Sequence, residues 1–177
     1  MFRLFALALA LSVTFCAHGT DADDYATLLA KLQAGDAAVD FHALRMAHAA
    51  SPDYRPNSPD SLIRRKAVQD AIEAKAFDRA APLLEKWLSK EPLNPFAHLG
   101  AIRVYKELGD EQKSAFHDAV VDGIFRSICQ VDEGDSPNRP CRVLSIDEQH
   151  FYLVMQGLVI DGDYGTLCRD ERPCQVY

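Results

Sequence analysis

The residues best placed to do chemistry together in this sequence are His98, His117 and Glu148. His98 shares a helical face with Ala101, Ile102 and Tyr105, and helical periodicity turns that face inward. His117 lies beside the stripe Phe116, Val120, Ile124 and Ile128, so a helical pair would bring the two imidazoles towards each other. Two imidazoles and a carboxylate suffice for a metal site or for proton transfer. One reading of the chain is therefore a small hydrolase or metal-binding protein. The opposing reading makes each histidine a packed, hydrogen-bonded core residue. No H-E-x-x-H pair, serine elbow, phosphate-cradling glycine loop or dinucleotide fingerprint is present. The sequence thus names no reaction, no cofactor and no resident metal. Asp161, Gly162 and Asp163 begin like a calcium loop but lack the further oxygen ligands and distal glutamate, and read as a turn. Asp132 to Asp135 reads as a solvated acidic loop.

Holding such groups in place requires helices, and the pattern supplies them. Apolar residues recur at helical spacing over 24–34, 39–49, 61–74, 79–90, 96–108 and 111–128. Gly35-Asp36, the prolines between Ser51 and Pro59, the Ala76 to Asp78 corner, Pro92 with Pro95, and Gly109-Asp110 punctuate them. Short helices joined by tight corners predict antiparallel hairpins. Ala80, Leu84, Trp87 and Pro92, followed by Tyr105 and Gly109, resemble a tetratricopeptide repeat, whose period is about 34 residues. Ile102, where a small residue is usual, departs from that pattern.

In such a stack the first helix of each pair lines a concave wall. Projected on that geometry, Leu62, Arg65, Gln69 and Ile72 come from one unit, and Phe96, Leu99, Arg103 and Lys106 from the next. An apolar and basic wall could hold an extended peptide or its terminal carboxylate. The opposing reading is a set of surface ion pairs of little energetic weight.

After Cys141 the pattern changes. Val143, Leu144 and Ile146 form a short apolar run, Glu148 to Gln156 has room for one or two helical turns, and short β-type pieces follow, separated by Gly and Asp. These predict a small antiparallel β cap, over about 142–177, covering the open end of the helices. The expected fold is mainly α with that cap, in one domain spanning 20–177.

The start of the chain reads as a removed signal peptide, residues 1–19. Arg3 is the positive head, Leu4 to Phe15 an uncharged apolar run, and Ala17 and Gly19 a cleavage site before Asp21. The run is shorter than the roughly 20 residues a spanning helix needs. Acylation at Cys16 is disfavoured by Phe15, and no other segment could cross a bilayer. A periplasmic or secreted location is expected. Export makes disulfides the default for Cys129, Cys141, Cys168 and Cys174. Local pairing, Cys129–Cys141 and Cys168–Cys174, brackets two turn-rich segments, and neither spacing is C-x-x-C. With 26 acidic residues against 19 basic and a net charge of -7, the chain lacks the cationic surface that nucleic acid or anionic membranes require.

Several motifs resemble the bacterial family called domain of unknown function 4919. They are Asp40-Phe41, Leu44-Arg45, Tyr54-x-Pro56, Ala97-His98, Tyr105 to Asp110, His117, Gly123-Ile124, Ser127-Ile128, Gly134 and Val143 to Gly157. The four cysteines and Gln149-His150 depart from its pattern. The resemblance implies an exported helical-repeat protein and brings no reaction or cofactor. Taken together, the expectation is a periplasmic, non-catalytic module that binds another protein or peptide. The hydrolase or metal-binding reading and a structural envelope component are the alternatives.

Overall fold

A computed structural model of the chain describes residues 21–52, 54–56, 58–129, 140–158, 165–167 and 173–175. The signal peptide, the acidic loop at 132–135, the turn at 161–163 and the Cys168–Cys174 pairing lie outside the described residues. Seven helices are described: α1 (Asp21–Gln33), α2 (Phe41–Ala50), α3 (Pro59–Glu73), α4 (Phe77–Leu88), α5 (Pro95–Glu107), α6 (Glu111–Ile128) and α7 (Ile146–Met155). Their starts follow from capping chemistry. Asp40, Asn94, Asp110 and Ser145 each accept a main-chain N–H of the first turn. Pro59 and Pro95 occupy first positions, where the missing N–H is not needed. The α3–α4 corner turns on Lys75, a non-glycine residue in the left-handed region at φ 54°.

Consecutive helices pair as α1 with α2, α3 with α4 and α5 with α6, while α4 and α3 also pack on α5. The first hairpin does not follow the order of the chain. Helix α2 packs on α6, while α3 packs on α4 and α5. Two apolar clusters result. Val68, Ile72, Leu84, Trp87, Ala101 and Val104 join α3, α4 and α5. Leu32, Phe41, Leu44, Val120, Ile124, Ile128 and Phe151 join α1, α2, α6 and α7. Gly123 is what lets α2 approach α6: a Cβ there would lie 2.2 Å from the Phe41 ring.

Helix α7 corrects the expected β cap. From Arg142 to Leu158 the described backbone holds no strand, and a ten-residue helix covers α5 and α6 instead. The reason is local. Ser145 caps the helix by accepting the Glu148 N–H at 3.1 Å, and Asp147 and Glu148 in the first turn suit its dipole. Phe151 then anchors it in the core. Beyond Leu158, Gly165–Leu167 and Pro173–Gln175 pair antiparallel over three residues each. So short a two-stranded ribbon makes no layer of the fold, which is mainly α.

Candidate functional site

The structure brings His98 and His117 together and leaves Glu148 elsewhere. The two Nδ1 atoms lie 2.9 Å apart, and both side chains are buried. His98 Nε2 sits 3.0 Å from the Pro92 carbonyl, which can only accept, so Nε2 carries the proton. In neutral His98 the Nδ1 is then bare and accepts from the His117 Nδ1–H. The His117 ring stacks on Tyr105 at 5.6 Å. Burial pushes both imidazoles down to about 4. The Pro92 carbonyl opposes this at His98, while His98 and Lys113 reinforce it at His117. A shared zinc would hold two ligand nitrogens more than ~3 Å apart, and among the described residues no third ligand joins them. The pair is a neutral joint between α5 and α6.

Glu148 answers to Arg45. The Arg45 guanidinium is wholly buried and reaches Glu148 through Nε at 2.9 Å and Nη2 at 2.8 Å. It also donates to the carbonyls of Ser127 and Arg142, each at 2.6 Å. Glu148 further accepts the Leu144 N–H at 2.7 Å. Ser127 and Arg142 flank Cys129 and Cys141, which are joined as a disulfide. Arg45 therefore ties α2 to the end of α6, to the segment leaving the disulfide and to the start of α7. Tyr54 donates to the Leu144 carbonyl beside this clasp. Burial, with Glu148 adding and Arg45 opposing, raises its hydroxyl above the usual range.

Next to the clasp opens a cleft of about 630 Å³. Its walls come from Tyr54, Arg55 and Pro56, the start of α3, the α4–α5 turn and the start of α7. A second polar network lines it. Asn94 Nδ2 donates to Glu91 at 2.8 Å and to Asp147 at 2.9 Å, while its Oδ1 caps α5. Glu91 also receives Ser61 Oγ at 2.7 Å, Trp87 Nε1 at 3.1 Å and Arg64 Nε at 3.1 Å. Burial alone would raise the Glu91 carboxyl; these four donors outweigh it and hold it below the usual carboxylate range. Asp147 is paired with Arg65 Nη2 at 2.6 Å. Glu91, Asp147 and Glu148 are thus each neutralised by an arginine. Two apolar side chains of the cleft are exposed: Leu62 on α3 is 65% exposed and Ile146 on α7 51%.

The projected concave wall meets a different fate along its length. Arg65 and Phe96 are covered by α7: Arg65 pairs with Asp147, its guanidinium stands 4.3 Å over the Phe96 ring, and Phe96 meets Phe151 edge-on. Leu99 packs on the cluster of α1, α2, α6 and α7, and Ile72 is buried in that of α3, α4 and α5. Gln69, Arg103 and Lys106 stay exposed. The wall is therefore not one continuous open surface. Sequence reasoning missed Arg45, Glu91 and Asn94 as organising residues. Asn before Pro95 is a helix-start signal that marks Asn94; nothing in the spacing pairs Arg45 with a residue as distant as Glu148. No family model, curated protein or solved structure matches this chain.

Proposed function

We propose that this chain is a non-catalytic interaction module that takes an extended segment of another protein in the cleft between α3, the α4–α5 turn and α7. The observation that carries this is the contrast within the cleft. Its carboxylates Glu91, Asp147 and Glu148 are already paired, which leaves them unsuited to proton transfer, while the side chains of Leu62 and Ile146 are exposed. A concavity of several hundred Å³ with apolar contacts and fixed polar groups is the usual form of a ligand site. The two histidines that might have served catalysis are buried, neutral and bonded to one another. The Cys129–Cys141 disulfide suits an oxidising compartment, and we place the module in the periplasm or outside the cell.

Leu62→Asp with Ile146→Asp tests the reading in a pull-down from periplasmic extract, beside Arg103→Glu with Lys106→Glu on the remaining wall. All four side chains are exposed, so the variants should fold. The cleft pair should lose the captured partner and the wall pair should keep it. Retention by the cleft pair would remove this proposal, and loss by the wall pair alone would move the site to Arg103 and Lys106.

A further inference from the structure

The histidine joint between α5 and α6 also reaches the cleft. His98 Nε2–H donates to the Pro92 carbonyl at 3.0 Å, and Pro92 stands in the turn whose Lys90, Glu91, Leu93 and Asn94 line the cleft. Trp87, the single tryptophan of the chain, donates to Glu91 of that turn at 3.1 Å. One buried imidazole thus fastens a wall of the cleft to the pair.

Proton counting sets what the pair can bear. In its neutral form one proton lies between the two Nδ1 atoms, 2.9 Å apart, and His117 Nε2 is bare. A first added proton can go to that Nε2 and leave the shared hydrogen bond intact. A second would put an N–H on each side of the 2.9 Å contact and two like charges in one buried place, which no choice of tautomer relieves. The surroundings supply no counter-charge. Lys113 on α6 adds like charge at His117. Glu85 on α4 is engaged by the Tyr105 hydroxyl at 2.9 Å and by Lys113 at 3.5 Å, and Asp110 ahead of α6 bears on Tyr105. Among the described residues, neither of these acids nor any group of α2, α3 or α7 shifts either imidazole. Both imidazoles sit at about 4 in place, against about 6.5 in water. Between those values each gains a proton on reaching water, so opening becomes about a hundredfold more favourable for each pH unit of fall.

We infer that the His98–His117 pair is an acid-sensitive latch: a second proton parts the two rings, and His98 then releases the α4–α5 turn and loosens one wall of the cleft. That the loosened wall belongs to a peptide site rests on the function proposed above; the latch itself does not.

The test follows the isotope-labelled full chain by NMR from about pH 7.5 to about 3.5. The two imidazoles should titrate together near pH 4, with an apparent slope clearly above one proton. The Trp87 indole and the amides of residues 90–98 should shift in the same step, ahead of the amides at Arg45 and Glu148, and return when the pH is raised. His117→Gln can still donate to His98 but takes no proton, so the slope should fall to one. His98→Leu with His117→Phe should abolish the step at the turn. Either imidazole titrating at about 6.5 would overturn the latch, as would all amides moving in one global transition. Imidazole titration that leaves the Trp87 indole and the turn in place would overturn the link to the cleft. A turn step that persists in the double variant would assign it to carboxylates instead. None of these readings needs a bound partner, so failure of the latch and failure of the peptide site are told apart.

Discussion

Replacing Arg45 by methionine would leave the Glu148 carboxylate buried without its counter-ion, and Glu148→Gln would do the same to the guanidinium. Breaking one side of such a pair costs roughly 3–5 kcal/mol, whereas replacing both sides with apolar groups is often near neutral. Each single variant should therefore lower the urea midpoint sharply, and Arg45→Met with Glu148→Leu should recover most of it. Equal loss in single and double variants would show that the carbonyls of Ser127 and Arg142, not Glu148, are what Arg45 serves. The histidine joint makes a pH prediction. Both imidazoles sit at about 4 in the fold, against about 6.5 in an unfolded chain. Between those values the unfolded state binds more protons, so stability present above pH 6.5 drains away as pH falls towards 4. Tyr105, Lys113 and the Pro92 carbonyl face the pair, and none of them offers a negative charge to hold a second proton. His98→Leu with His117→Phe should flatten the urea midpoint over pH 6.5–4.5, and an unchanged slope would contradict the assignment. At this scale the sequence was half legible. The spacing of His98 and His117 on facing helices foretold their meeting. Glu148 was misplaced because a carboxylate's partner is set by tertiary packing, not by period.

Helix-scale packing turns on a few backbone details. Gly123→Ala would drive a methyl into the Phe41 ring and should cost about 1–3 kcal/mol, read as a lower melting temperature. Phe41→Leu should recover part of the loss in that background. A silent Gly123→Ala would mean that α2 and α6 can slide apart. Lys75→Gly works the other way. It relieves a left-handed residue at the α3–α4 corner and should add up to about 1 kcal/mol. Six helices were readable in advance to within a few residues, because amphipathic spacing and the Asn-Pro, Gly-Asp and Pro punctuation all agree. Helix α7 was not. Ser145 and the paired acids of its first turn were start signals, but its single buried stripe spans too few residues for periodicity to separate a helix from a β piece.

For the whole molecule, the order of the hairpins was the part that sequence could not supply. Local spacing predicts which helices pair, and contacts such as α2 on α6 depend on residues far apart in the chain. The cleft is lined by Tyr54, Arg55 and Pro56 together with the starts of α3 and α7, residues far apart in the chain. Phe41, Arg45, Tyr54, His98, His117, Gly123 and Glu148 are the clasp, the joint and the close approach that hold this arrangement. Chemical-shift mapping of the partner captured in the pull-down on the isotope-labelled full chain tests the central claim most directly. The account predicts that perturbed amides cluster at residues 54–64, 90–95 and 144–148. Perturbations confined to Gln69, Arg103 and Lys106, or spread evenly over the surface, would contradict it.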